Sequence, residues 1–250
     1  MGKSRSMLAM ILVALLLLLG LTMTGCESGQ KESTDGETEE TAEVYKRAET
    51  ITSGEEAKTL LEEGNKRFVD EEYAGKDMGE KKRKDLSTEG QKPFAIIVSC
   101  SDSRVPPELV FDQAVGDIFI IRVAGNVVDP IAIGSVEYAV EHLKAPYLLV
   151  MGHEKCGAVK ATVEGGEAPG SIGSIVAKIQ PAVDKAKGTG ATGDQLVEEA
   201  VDENVAAVMA ELEKSPVIEE AVESGKLTVA GAKYHLGSGE VSWLEEGEEE

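Results

Sequence analysis

The chain has 250 residues, three cysteines and a formal charge of −21, from 46 acidic against 25 basic side chains. A surface that acidic, with no basic stripe, repels nucleic acid and anionic lipid headgroups, so no nucleic-acid partner is expected and membrane contact needs a separate anchor. The length suits one domain with a substantial core once the two ends are set aside.

At the N-terminus, Lys3 and Arg5 precede an uncharged apolar run from Met7 to Leu21. The run is short for a membrane-spanning helix, which needs about 20 apolar residues, and it has the form of a secretory signal. "TMTGC" follows, ending at Cys26. It resembles a bacterial lipobox, with Met23 where leucine is usual. Residues 1–25 are therefore expected to be a lipoprotein-type signal peptide, with Cys26 lipidated as the new N-terminus. Ordinary cleavage or an uncleaved anchor are the alternatives. All three export the domain, to the outer face of the cell membrane or to the periplasm. Removing the leader takes Lys3 and Arg5 and no acid, which leaves the mature chain near −23.

Residues 26–53 are polar, acidic and rich in Ser and Thr, and read as a disordered tether. Residues 54–69 place Ala57, Leu60, Leu61, Phe68 and Val69 on a helical period. Residues 75–90 are charged and weakly apolar, a surface helix or a loop. "FAIIVS" (94–99) is a short apolar run that suits a strand buried on both faces, and "DIFIIRVAG" (117–125) is a second. Helical spacing returns over 129–145, with Asp129 as cap and Pro130 in the first turn. "PYLLVMGH" (146–153) reads as a third strand. Helices follow at 155–163, 171–187, 194–212 and 215–226. A fourth strand covers 227–236, and 240–244 reads as a short return strand on an edge. Residues 246–250 are a solvated acidic tail. Strands alternating with helices define an α/β domain over 54–245, with a mostly parallel sheet of about four strands plus a short edge strand.

In such a sheet, function collects at the carboxyl ends of the strands. Cys100 stands one residue past the first strand, and His153 and Cys156 stand at the end of the third. If those strands are neighbours, the three side chains converge. Two thiolates and an imidazole suit zinc, and a fourth position left open is the mark of a catalytic rather than a structural site. A Cys100–Cys156 disulfide is the simple expectation for two cysteines in an exported protein, but it leaves His153 unexplained. Asp102 and Arg104 sit two residues apart in the turn after Cys100. They can form a charge-assisted pair that keeps the carboxylate ionised and oriented, or they can merely cap the turn before Pro106 and Pro107.

Three motifs carry a family resemblance: "CSDSR" (Cys100–Arg104), "RVAGN" (Arg122–Asn126) and "GHEKCGAV" (Gly152–Val159). Together and in this order they resemble the β-class carbonic anhydrases, over roughly residues 54–245. The resemblance implies a parallel sheet flanked by helices, and a homodimer or higher even oligomer with the active site at the subunit interface. It implies one Zn²⁺ per chain, held by Cys100, His153 and Cys156, with Asp102–Arg104 as catalytic dyad. The implied reaction is reversible hydration of CO₂ to bicarbonate and a proton by zinc-bound hydroxide. Asp102 becomes a fourth ligand in the closed state of some members. Gln91, nine residues before Cys100, matches a substrate-contacting glutamine. Val105, Phe111, Val123 and Gly125 are wall candidates by position.

Two departures stand out. Ile97 occupies the place of a tryptophan that marks a regulatory bicarbonate pocket, so an open site without that regulation is expected. "VAGN" replaces "N-x-A-N", which alters the apolar wall. His142 and His235 are expected to be structural or exposed, with buffer taking the proton. Hydrolysis of COS or CS₂ on the same fold is the alternative reaction, and a non-catalytic lipoprotein that binds zinc or bicarbonate is the alternative role.

Overall fold

The computed structural model describes residues 44–244. The expected signal peptide, Cys26, the part of the expected tether before residue 44 and the acidic tail lie outside the described residues. A five-stranded sheet forms the centre, in the order β2-β1-β3-β4-β5. Its strands are β1 (Ala95–Ser99), β2 (Ile118–Arg122), β3 (Tyr147–His153), β4 (Thr228–Tyr234) and β5 (Val241–Trp243). The first four pair in parallel and β5 returns antiparallel on β4. β1 and β3 are buried at every position, which is why they read as continuous apolar runs without alternation.

The strand period of two divides the core. Ile96, Val98, Leu148 and Val150 face one side, against α4 (Pro130–Glu141), α7 (Gly193–Leu212) and α8 (Pro216–Glu223). Ala95, Ile97, Leu149 and Met151 face the other, against α1 (Gly54–Val69) and α3 (Pro107–Val110). Each fully buried aliphatic side chain contributes roughly 1.5–3 kcal/mol of transfer free energy.

Caps mark several helix ends. Ser53 accepts the Glu56 N–H at the start of α1, and Asp129 accepts from Ile131 and Ala132 ahead of Pro130 at the start of α4. Residues 80–89 form α2, a helix with no buried residue, and the predicted strand over 117–125 ends at Arg122. A 3₁₀ turn, Ala124–Asn126, replaces its last residues, because Gly125 enters the left-handed region at φ 70°.

Described residues ahead of residue 54, within the stretch expected to be tether, also pack on the domain. Tyr45 N–H donates to the Gly75 carbonyl at 2.8 Å, and the Arg67 guanidinium lies 4.7 Å above the Tyr45 ring. Arg47 pairs with Asp117 at 3.0 Å and stacks 5.3 Å from the Phe94 ring, and Ile51 is only 5% exposed. These anchors fall at irregular intervals in an otherwise polar stretch, so they carry no periodic signal.

α7 crosses β3 and β4 closely because two glycines admit it. A Cβ on Gly152 would meet Val205 Cγ2 at 2.7 Å, and one on Gly231 would meet Met209 Sδ at 2.8 Å. At the carboxyl edge of the sheet, α5 (Gly157–Glu164), α6 (Ile172–Lys187) and α7 close a third apolar cluster around Cys100 and Cys156.

Candidate metal centre and active site

β1 and β3 are neighbours in register, so Cys100 and His153 leave the sheet side by side. Cys156 follows one turn later, at the N-cap of α5. The donor atoms of Cys100, His153 and Cys156 lie within 4.8 Å of one another, and all three residues are buried. Both cysteines are free thiols, so the disulfide alternative is not realised.

The donors are individually prepared. His153 Nδ1 lies 2.8 Å from the Glu154 carbonyl, which places its proton there and turns the Nε2 lone pair inward. Nε2 itself is buried with no hydrogen-bond partner. A buried, unpartnered nitrogen beside two sulfurs is costly by itself and fits a metal ion, and the soft donor set fits zinc. The Glu154 peptide is fixed in turn: its N–H donates to the Tyr234 carbonyl, and its carboxylate accepts from the His235 ring and the Leu236 N–H, each at 3.0 Å.

The Gly125 N–H donates to Cys100 Sγ at 3.2 Å. The Cys156 thiol hydrogen bond is the first cause that lowers the Cys100 pKa to about 4, with the Gly125 and Asp102 N–H groups adding to it against the effect of burial. Cys156 is pushed up, first by its hydrogen bond to Cys100, then by burial and the Cys100 charge. The first-turn N–H groups of α5, at Val159 and Ala158, oppose that rise. A divalent cation between the two sulfurs would offset their mutual repulsion and let both ionise.

Beside this cluster, Arg104 grips Asp102. Its Nε donates to Oδ1 at 2.9 Å and its Nη2 to Oδ2 at 2.7 Å, while the Arg104 backbone N–H also donates to Oδ1 at 2.9 Å. The Arg104 hydrogen bonds hold the Asp102 carboxyl well below the usual carboxylate range, outweighing its burial. Asp102 Oδ2 lies 3.9 Å from His153 Nε2. Asp102 is not among the residues whose donor atoms converge, and the described arrangement is the arginine-paired one.

The wall candidates separate. Gly125 touches Cys100, and Val123 packs partly buried on the same cluster. Val105 and Phe111 are wholly buried in the α1-side core, where Phe111 meets the Trp243 ring edge-on at 6.4 Å. The chain does not bring these two to the thiolates; they pack the core. Gln91 is exposed, ahead of the amino end of β1, while Cys100 leaves the carboxyl end, so one chain does not join them. His142 is exposed and stacks 5.1 Å from Tyr138, and His235 bridges Glu154 and Ser242.

Two contributors had no role assigned from the sequence. Arg122 donates to the carbonyls of Cys100 at 2.9 Å and of Asp102 at 2.6 Å, and so holds the loop that carries both. It was visible as the first residue of "RVAGN", without a function. Asn204, buried in α7, donates to the Gly125 carbonyl at 2.8 Å and left no signal.

Three soft donors at the carboxyl edge of a parallel sheet, with an arginine-held carboxylate beside them, define an α/β protein built around a candidate metal centre. The chain belongs to the carbonic anhydrase family, in its β class: the model of the carbonic anhydrase family matches residues 95–241. The carbonic anhydrase of Mycolicibacterium smegmatis is 38% identical over 186 residues, which is 72% of this chain and 88% of that protein. Carbonic anhydrase 2 of Mycobacterium tuberculosis is 39% identical over 184 residues, covering 72% and 87%. Among solved structures, a tetrameric β-carbonic anhydrase of Sordaria macrospora matches with a TM-score of 0.60 at 28% identity, over 63% of this chain and 83% of that one. The β-carbonic anhydrase of Coccomyxa matches with a TM-score of 0.58 at 31% identity, over 73% and 83%.

Proposed function

We propose that this chain hydrates CO₂ at a zinc ion held by Cys100, His153 and Cys156, with Asp102 as the group that orients the attacking water. The observation that carries the reading is the hydrogen-bond inventory of Asp102. Oδ1 accepts two bonds from Arg104 and is saturated. Oδ2 accepts one and keeps a lone pair, 3.9 Å from His153 Nε2.

Bound zinc supplies the Lewis acidity that brings the pKa of water from about 15.7 toward about 7. Asp102 accepts a hydrogen bond from the nucleophilic oxygen and turns its remaining lone pair toward the substrate carbon. Arg104 keeps the carboxylate in one rotamer and ionised. Val123 supplies apolar surface next to Cys100, suited to an uncharged linear substrate. The proton leaves to buffer, since neither His142 nor His235 is a member of the cluster.

Stopped-flow CO₂ hydration, with metal counted on the same sample, tests the reading. One zinc per chain, with hydration that collapses in Asp102→Asn while zinc stays, supports it. Turnover of COS or CS₂ with none of CO₂ moves the substrate, and full zinc with no turnover of any of them leaves a binding role.

The reading extends to assembly and location. β2 is an edge strand on which Ile118, Phe119 and Ile120 are only partly buried, and the neighbouring α4 leaves Ile131 81% exposed. An apolar strand edge of that kind favours pairing with a second copy, in an even oligomer. Light scattering on the purified chain reads the assembly directly, and a monomer at micromolar concentration counts against it. Export with lipid on Cys26 rests on the leader pattern. Membrane fractionation of Cys26→Ala against wild type tests it: release of the variant is expected, and equal retention overturns the anchor.

A further inference from the structure

We infer that Asn204 is a positioning residue for the metal centre, acting through Gly125 on the Cys100 sulfur. The inference rests on the zinc reading above. Asn204 is on α7, 1% exposed, and its Nδ2 donates to the Gly125 carbonyl at 2.8 Å. Gly125 donates its own N–H to Cys100 Sγ at 3.2 Å. One residue therefore links the helix to the ligand, gripped at its carbonyl by Asn204 and presenting its N–H to the sulfur.

The link matters because Gly125 is a glycine held at left-handed torsions inside a short 3₁₀ turn. It sits at φ 70° and ψ 21°, in the left-handed region where glycine is free to move between wells. The Asn204 bond fixes the carbonyl and with it the peptide on that side. Ile179 and Ala158 close the space above, where a Cβ would meet Ile179 Cδ1 at 2.7 Å and Ala158 Cβ at 3.1 Å. The amide orientation follows from chemistry: the reverse flip would set Asn204 Oδ1 against a carbonyl oxygen, two acceptors facing each other. Oδ1 consequently remains buried without a partner. A side chain serving packing alone at this site would be apolar, like Val201 and Val205 on the same helix.

An N–H donated to a metal-bound thiolate withdraws charge from the sulfur and fixes its lone-pair direction. Partners of this kind are worth roughly 10–100-fold in metal affinity when they touch the ligand. Asn204 stands one link further out, so an effect of about tenfold is expected.

The test uses full-length protein loaded with Zn²⁺ and, separately, with Co²⁺. Zinc release to a competing chelator and the thiolate-to-cobalt charge-transfer band are compared between wild type, Asn204→Leu and Val208→Ala. Val208 is buried one turn further along α7, in the cluster away from the cysteines, and serves as a packing control. Asn204→Leu is expected to release zinc about tenfold faster and to shift the cobalt band. Val208→Ala is expected to melt earlier and do neither. Release and spectrum unchanged in Asn204→Leu, with only a lowered melting point, overturn the inference. If Asn204→Leu does not fold, Asn204→Ser removes the same bond with less bulk, and the same two readouts decide. A wild-type protein that takes up no metal sinks the zinc reading and this inference together, whereas metal uptake with an indifferent Asn204 sinks the inference alone.

Discussion

Arg104 occupies three of the lone-pair sites of Asp102 and leaves one, on Oδ2, facing His153 Nε2 across 3.9 Å. The carboxylate is thus a one-acceptor device. Its rotamer is set by a fork of two parallel N–H bonds, and Oδ2 keeps its free lone pair on the side of the carboxylate near His153. Arg104 is itself half exposed, so the pair is oriented by geometry more than strengthened by burial.

Replacing Asp102 by Asn keeps the shape and turns an acceptor into an amide that can present N–H instead. CO₂ hydration is expected to fall by about 100-fold or more with zinc still stoichiometric. Stopped-flow rates and metal analysis on one preparation check both halves.

Arg104→Gln removes the largest cause of the low Asp102 pKa. The carboxyl must be ionised to accept its hydrogen bond, so activity is lost as pH falls through that pKa. In the wild type this point lies below the ordinary carboxylate range. In Arg104→Gln it moves up, and the deficit relative to wild type is expected to widen toward the acidic end of a rate profile. A deficit constant with pH would argue against it.

Stripping the metal leaves Cys100 as a thiolate, with a pKa of about 4, close to the Cys156 thiol. Diamide is then expected to take two electrons from the pair, one proton from the Cys156 thiol and one from solvent, leaving as the hydrazine while a Sγ–Sγ bond closes. Thiol titration should show two free thiols lost from the metal-free protein and protected in the zinc form. Zinc uptake should return only after reduction.

Asp112 anchors the N-terminal part of the domain. Its carboxylate is fully buried and binds Arg67 at 2.7 Å, Lys76 and the Ala74 N–H. Burial alone would raise its pKa; Arg67, Lys76 and Ala74 outweigh it and hold it below the usual value. A depressed carboxyl contributes stability above its unfolded pKa of about 3.9 and loses it as pH falls through the lower folded value. Asp112→Asn is expected to cost roughly 2–3 kcal/mol at pH 7, less than a fully buried pair because both cations keep some water. Thermal melts should show a gap of about 5–10 °C at pH 7 that narrows toward pH 3.

Gly125→Ala meets two obstacles at once, the left-handed φ of 70° and the Ile179 methyl at 2.7 Å from the new Cβ. Destabilisation of about 1–3 kcal/mol is expected, together with faster zinc loss as the N–H leaves Cys100. Urea melts and chelator competition measure the two effects separately.

The amino-acid sequence by itself determined the α/β class and most helix and strand positions, and it singled out Cys100, His153, Cys156, Asp102 and Arg104 as candidate site residues. It could do so because strand burial, helical period and strand-end motifs are local patterns, read within a few residues. The tertiary structure alone decided what holds those residues in place. Asn204 reaches Gly125 across 79 positions of chain, Arg47 reaches Asp117 across 70, and Arg122 reaches back 22 to the Cys100 carbonyl. Tyr45 and Ile51 belong to the domain only because a surface formed elsewhere receives them. Phe111 and Val105 lie beside the site in sequence and point into the opposite core, because a turn sends them to the other face of the sheet. Contacts between distant segments leave no period in the chain, and which face a side chain takes is settled only when the sheet and its helices pack.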